Sequence, residues 1–288
     1  MFEITMLGTS CAVPTIQRNL SSIAVRRDGD VFLLDCGEGT QRQMMKFGVS
    51  YMKVKAIFIT HLHLDHFLGA FGLVETMALN GRKEKLTIYG PAGTKATFGK
   101  QKEFVEIIEI DGKLEADFGE FAASSFKVKH SRDSFGFVFE EKEKRRFHEE
   151  KAKSLGIKGP MFTKIMNEGK LKIGSKTVKL ADVTYASHGR KIAYTGDTAP
   201  CEQTARAAKG ADLLIHEATF AQEKADEAAE ASHSTAAQAA EIAKKAGVKK
   251  LLLTHLSGRY RDAGVLLSEA KAIFENTLVA EDGMRLEA

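Results

Sequence analysis

Residues 61–66 read His61-Leu62-His63-Leu64-Asp65-His66, three imidazoles and a carboxylate within six positions. Imidazole nitrogen and carboxylate oxygen ligate zinc and similar divalent ions, and four such groups so close together can serve two ions if alternate side chains point in different directions. A metal pair of that kind activates water. A solvated histidine-rich loop or one structural zinc would use the same residues, so the ligands that complete two shells must come from elsewhere in the chain. Three candidates follow: His130 after residues 126–129, Asp197 after 191–193 and His255 after 251–254, each behind a strand-like run. Any one of them alone reads as a capping or loop residue, and it is their recurrence in the same position that points to a shared centre. Asp35 occupies the same kind of place after Val31-Phe32-Leu33-Leu34, where a strand-end turn would suit it equally.

These residues need strands that end at one rim, and the chain supplies strands interleaved with helices. Residues 54–60 form a short apolar run that reads as a buried strand leading into His61. Strands are expected at 2–7, 22–26, 31–35, 86–89, 121–129, 135–140, 213–216 and 249–254. Helices are expected at 38–47, 67–79, about 94–104, from 220, from 235 and at 262–274. Thr235-Ala236-Ala237-Gln238 has the spacing of a capping box, which places His233 on the loop just ahead of a helix. No internal repeat stands out.

With 288 residues and 43% hydrophobic content the chain can bury a large core, as one large domain or two small ones. No signal peptide and no apolar run of spanning length is evident, so a cytosolic enzyme without membrane partners is expected. Cys11, Cys36 and Cys201 are odd in number and widely spaced, and read as reduced, small core residues.

Residues 142–179 break the pattern. Twelve Lys or Arg stand against four acids there, a net of +8, so the remainder of a chain that totals +4 carries −4. Such a run is either a solvated face or a docking surface for a polyanion.

The order His-x-His-x-Asp-His, then His, Asp and His at long spacing, resembles the metallo-β-lactamase superfamily. Within it, further motifs resemble the ribonuclease Z family: His130-Ser131-Arg132-Asp133-Ser134-Phe135-Gly136, His216-Glu217-Ala218-Thr219, His233-Ser234-Thr235, and Gly159-Pro160 inside the basic segment. Pro14-Thr15-Ile16-Gln17-Arg18-Asn19 is similar to the family's loop for the transfer-RNA 3′ end, except that Ile16 replaces its lysine, so the discrimination of CCA-bearing ends is not carried over. The resemblance implies an α/β (α+β) fold, an αββα sandwich of two mixed sheets flanked by helices. It implies a single domain over residues 1–288 with an inserted flexible arm at about 142–179 that grips precursor tRNA, in a homodimer.

By the same resemblance, His61, His63, His130 and Asp197 hold one metal, and Asp65, His66, Asp197 and His255 the other. Zinc is favoured by these ligands, two ions per subunit, with manganese compatible. Asp35 would orient the site without ligating, and Arg18, Asn19, Ser134, Gly159 and Pro160 would meet substrate. Two ions can lower the pKa of a shared water and hold a phosphate oxygen. Asp65 is placed to orient that water and accept its proton, and His233, oriented by Glu217, to protonate the departing ribose O3′. The expected reaction removes the 3′ trailer from precursor tRNA, leaving a 3′-hydroxyl and a 5′-phosphate. Two alternatives use the same residues differently: a phosphodiesterase or small-metabolite hydrolase with the same ligands, and a non-enzymatic RNA-binding relative.

Overall fold

A computed structural model describes all 288 residues, and the chain divides into two compact units, residues 1–140 with 190–288, and residues 141–189. In the first unit, β1 (Glu3–Gly8), β2 (Ser22–Arg27), β3 (Asp30–Leu34), β4 (Val54–Phe58), β5 (Leu86–Gly90) and β6 (Val105–Glu109) lie side by side in that order. The second sheet starts with β7 (Glu115–Asp117), β8 (Phe121–Lys127) and β9 (Phe135–Glu141). The second unit holds β10 (Lys144–Phe147), β11 (Lys170–Ile173), β12 (Lys176–Lys179) and β13 (Thr184–Ser187). Strands β14 (Lys191–Tyr194), β15 (Leu213–Glu217), β16 (Leu251–Thr254) and β17 (Thr277–Val279) complete the second sheet in the order β17-β16-β15-β14-β9-β8-β7, and β18 (Arg285–Glu287) returns to pair with β1.

Side-chain alternation along the strands sorts the apolar residues into layers. Phe32 and Leu34 of β3 pack with Ile215 of β15 between the sheets, whereas Val31 and Leu33 pack with the helices Thr40–Lys46 and Gly69–Leu79, and Leu214 with Ala236–Ala246. Both faces of both sheets are therefore covered, which is why the central strands read as unbroken apolar runs. This is the expected αββα sandwich of two mixed sheets. Phenylalanines dominate its middle layer, with Phe32 edge-on to Phe121 at 5.1 Å and Phe58 to Phe139 at 5.1 Å. Cutting one such buried ring back to alanine costs on the order of 3–5 kcal/mol.

Strands β3 and β4 run parallel, as do β14, β15 and β16. Asp35, His61, Asp197 and His255 follow the C-terminal ends of four of these strands, and Glu217 ends the fifth.

Several expected boundaries move for local reasons. The helix expected at 38–47 starts at Thr40, because Gly39 is left-handed at φ +80°. The helix expected at 94–104 stops at Phe98, Gly99 turns the chain at φ +59°, and Val105–Glu109 becomes strand β6. The stretch from 220 is helical only from Ala225. Cys36 is buried as expected, but Cys11 and Cys201 are partly exposed, so the reading of all three as core residues is corrected.

The second unit runs ten residues past the charge-defined segment, because β10 pairs antiparallel with Thr184–Ser187. It folds on a core of its own, Ala152, Ile157, Ile165, Leu171, Val178 and Val183, under two short strand pairs and the helices Glu149–Ser154, Met161–Glu168 and Leu180–Val183. Its twelve cations and six acids leave a net of +6.

Candidate active site

Asp35 organises the strand ends. It is fully buried at φ +57°, a conformation unusual for a residue with a side chain, and such strain persists where the surroundings over-determine it. Thr60 donates its amide and hydroxyl to the Asp35 carboxylate at 2.8 and 3.0 Å, Tyr194 donates its hydroxyl at 2.8 Å, and His66 donates from Nδ1 at 2.7 Å.

The same device recurs around the cluster. Nδ1 of His130 donates to the Ser232 carbonyl at 3.0 Å, Nδ1 of His61 meets the Thr60 hydroxyl at 3.0 Å, and Nδ1 of His255 meets the Thr219 hydroxyl at 3.1 Å. With one ring nitrogen occupied in each, four imidazoles present Nε2 inward. Asp197 sits among those nitrogens: its carboxylate lies 3.3 Å from His66, 3.3 Å from His255, 3.6 Å from His61 and 3.9 Å from His130. His63 turns Nδ1 to within 3.3 Å of His130 Nε2, and Asp65 Oδ2 lies 3.5 Å from Nε2 of both His66 and His255. The candidate ligand atoms of His61, His63, His130 and Asp197 lie within 4.8 Å of one another, and so do those of Asp65, His66 and His255.

This donor set fits a pair of divalent ions. His61 Nε2 and Asp197 Oδ1 are buried without a hydrogen-bond partner, a cost that a cation at the centre would remove. Without metal, the charges balance one another. Burial opposes charge on His66, yet the Asp197 and Asp35 carboxylates outweigh it and push the imidazole up to about 10. At His255 burial again loses to Asp197, and the imidazole is raised well above its usual value. His61 is held well below the usual range by burial and then by His66. Burial would raise the Asp197 carboxyl, but His255 and His66 hold it well below the ordinary range.

Beside the cluster, His233 donates from Nδ1 to Glu217 Oε1 at 2.7 Å, which leaves its Nε2 free. Glu217 is buried and also accepts from the amides of Thr198, Ser234 and Thr219 at 3.1, 3.1 and 3.0 Å. Burial alone would raise its carboxyl; the His233 bond outweighs that and lowers it. Ring nitrogens of His233 and His255 and an oxygen of Asp197 lie within 4.8 Å of one another, so the His233–Glu217 pair borders the ion cluster. Thr235 accepts from the Gln238 amide and Gln238 in turn accepts from the Thr235 amide, the expected capping box.

The substrate-facing expectations fare differently. Ser134 is buried and bonds Ser131 through its hydroxyl at 2.6 Å, in the loop behind His130. Arg18 donates to Thr9 Oγ1 at 2.7 Å and to the Ala280 carbonyl at 2.6 Å, and Asn19 donates to the Glu38 carbonyl at 2.8 Å, so both side chains brace their own loop. Ile16 of that loop is 98% exposed. Gly159 and Pro160 are exposed in the second unit, where they lead into the helix Met161–Glu168. Sequence reasoning assigned no role to Thr60, Tyr194 or Thr219. Thr219 stands inside the His216–Thr219 motif, a signal that was available; the other two show their function only through the residues folded against them.

The family model described as Anti-Pycsar protein Apyc1 matches residues 2–263 of the chain. A ribonuclease Z from Methanothermobacter thermautotrophicus is 44% identical over 297 residues, covering 100% of this chain and 97% of that protein. The crystal structure of human tRNase Z, short form, matches with a TM-score of 0.70 at 30% identity over 99% of this chain and 98% of that one. A metallo-β-lactamase-fold protein from Bacillus subtilis matches with a TM-score of 0.76 at 21% identity over 100% and 99% of the two chains, a likeness of fold.

Proposed function

The chain belongs to the ribonuclease Z family, and on that premise we propose that it removes the 3′ trailer from precursor tRNA as a metal-dependent endoribonuclease, leaving a 3′-hydroxyl tRNA and a 5′-phosphate trailer. The observation that carries this reading is the His233–Glu217 pair beside a cluster able to hold two ions. His61, His63, His130 and Asp197 would hold one ion, and Asp65, His66, Asp197 and His255 the other, with Asp197 shared. We assign zinc to both sites, with manganese as the substitute. When bound, the ions supply Lewis-acid polarisation of a phosphate oxygen and make water acidic near neutrality.

The chain's own residues do the rest. Asp65, with Oδ2 accepting the Ala12 amide at 2.9 Å, orients the attacking water and takes its proton. Ribose O3′ is a poor leaving group until protonated. His233 delivers that proton from Nε2, while Glu217 occupies its Nδ1 and fixes its orientation. Because water attacks phosphorus, the neighbouring 2′-hydroxyl takes no part, and the upstream RNA keeps it. Asp35 holds His66 and the Thr60 turn in place.

The second unit, at net +6, is assigned to tRNA recognition as an insert in one domain spanning the whole chain: folded RNA is read largely by backbone and shape, which suits a cationic surface. Gly159 and Pro160 belong to that surface. Arg18 and Asn19 act on the RNA end through the loop they brace. No helix is long and apolar enough to cross a membrane, and we place the enzyme in the cytoplasm with its tRNA. It works as a homodimer in this reading, supported by exposed Met45 and Leu68, which line one surface groove with Gly72.

End-mapping one unprocessed tRNA transcript tests the proposal. A single cut at the 3′ boundary with the stated ends is expected, and cleavage elsewhere or a cyclic phosphate product would sink it. A second reading is hydrolysis of a small phosphodiester by the same residues, which has no need of the cationic second unit. Higher kcat/KM on small phosphodiesters than on precursor tRNA would select it.

A further inference from the structure

The loop from Thr9 to Asn19 reaches the proposed metal centre through the Ala12 amide, which donates to Asp65 Oδ2 at 2.9 Å, and through the Cys11 side chain, which meets His255. Ala12 adopts φ +50°, a conformation an alanine keeps only when neighbouring residues hold it there. What holds the loop lies at its neck. Thr9 Oγ1 donates to Asp282 Oδ1 at 2.8 Å and the Asn19 amide donates to Asp282 Oδ2 at 2.7 Å, so one carboxylate ties the two ends of the loop together. Gln43 Nε2 donates to the same Oδ2 at 2.7 Å, fixing the carboxylate in turn, and Arg18 donates to Thr9 Oγ1 at 2.7 Å from the other side.

We propose that Asp282 is a positioning residue for the phosphodiester cleavage: its carboxylate clasps the neck of the 9–19 loop so that the Ala12 amide holds Asp65 in the orientation a metal and its water require. The inference rests on the reading of Asp65 as a metal ligand. Three donors converge on the two Asp282 oxygens, and an amide in its place turns one acceptor into a donor, so the Thr9 hydroxyl must give up its donation and all three bonds lose the carboxylate's charge. The neck, still joined by the Ser10 amide to the Asn19 carbonyl at 2.9 Å, then loosens, and Ala12 shifts the donor that aims Asp65.

The test uses the full-length enzyme loaded with cobalt(II), whose visible absorption reports the ligand field. Asp282→Asn should alter that absorption with metal content unchanged, and lower kcat about tenfold on both precursor tRNA and bis(p-nitrophenyl) phosphate while KM for the small substrate holds. Thr9→Val keeps the side-chain shape, removes the Oγ1 bonds to Asp282 and from Arg18, and should give the same pattern at about threefold; should Asp282→Asn fail to fold, Thr9→Val decides by the same readings. A folded variant with parental absorption and kcat overturns the proposal, as does a loss confined to tRNA or one that tracks loss of metal. Asp65→Ala separates the two levels. Absorption that ignores Asp65→Ala removes the ligand reading itself, whereas absorption that responds to Asp65→Ala but not to the clasp variants removes only the role of Asp282.

Discussion

His233 can serve a leaving group because Glu217 occupies its Nδ1 and leaves Nε2 free. Expelling ribose O3′ needs a proton, and nitrophenolate leaves readily without one, so the two kinds of substrate should respond differently. His233→Ala is expected to cut the rate on precursor tRNA by about a hundredfold or more, within the range for general acid catalysis, while nearly sparing bis(p-nitrophenyl) phosphate. Glu217→Ala should show the same selectivity in weaker form, since the imidazole survives without its partner. Equal losses on both substrates at saturating RNA, with metal content unchanged, would falsify the assignment. His66 makes a second prediction. Burial opposes its charge but Asp197 and Asp35 push it up to about 10 in the metal-free protein, against roughly 6.5 in an unfolded chain. The folded form thus holds a proton the unfolded form releases, and this stabilisation is complete below pH about 6.5 and lost as pH rises towards 10. Chelated protein should melt at a lower temperature at pH 9.5 than at pH 7, and metal-loaded protein should lack that decline; a flat profile after chelation would count against the charge balance described.

At the scale of elements, the site is a set of strand ends held in unusual conformations. Asp35, Ser232, His255 and Ala12 all take positive φ at or beside the cluster: Asp35 and His255 directly after β3 and β16, Ser232 after the helix Ala225–Glu230, and Ala12 in the loop beyond β1. Close backbone approach serves the same end: a Cβ on Gly37 would fall 2.3 Å from the Asp65 carbonyl, so only glycine lets the turn after Asp35 pack beneath the 61–66 segment. The helix Ala236–Ala246 matters through its first turn, because His233 sits two residues ahead of its Thr235 cap. Thr235→Ala should cost about 1 kcal/mol of stability in denaturant unfolding, the usual loss for such a cap, and should also lower tRNA cleavage as the His233 loop loosens. Thr235→Ser should restore both. A stability loss with fully preserved cleavage would show that the cap supports the helix and leaves His233 alone.

Across the whole molecule, charge and chemistry belong to different units. The histidine and aspartate groups that could hold metal lie in residues 1–140 with 190–288, and the excess of cations in 141–189. Lys191 pairs with Glu140 across β14 and β9, so a two-residue Asn-Gly turn can close the gap left by removing residues 141–190. That deletion should weaken precursor tRNA binding severely and flatten its salt dependence, because each neutralised phosphate contributes roughly 0.7–0.9 to the log–log slope. Hydrolysis of bis(p-nitrophenyl) phosphate should persist. Unchanged tRNA KM and salt slope would mean that the unit is a solvated decoration.

What the sequence alone determined is the chemistry. His61, His63, Asp65, His66, His130, Asp197 and His255, which the fold gathers into groups that could hold metal, were legible as candidates because ligand capacity is a property of residue type, and because strands buried on both faces leave runs such as 54–58 and 251–254 just ahead of several of them. The outlying strands β6, β7, β17 and β18 were not legible: they are three to five residues long and lie at or next to the sheet edges, where no buried face imposes an apolar pattern. Nor could charge alone bound the second unit, since β13 carries little of it and belongs there through its pairing with β10. The orientation of the ligands was decided by tertiary structure. Which nitrogen each histidine presents depends on Asp35, Thr60, Ser232 and Thr219, and the aim of Asp65 depends on a loop whose neck is closed by Asp282, 273 residues along the chain from Thr9. Local propensity carries no information about a hydrogen bond at that separation; only the pairing of β18 with β1, which brings the end of the chain back to its beginning, places that carboxylate at the neck of the loop.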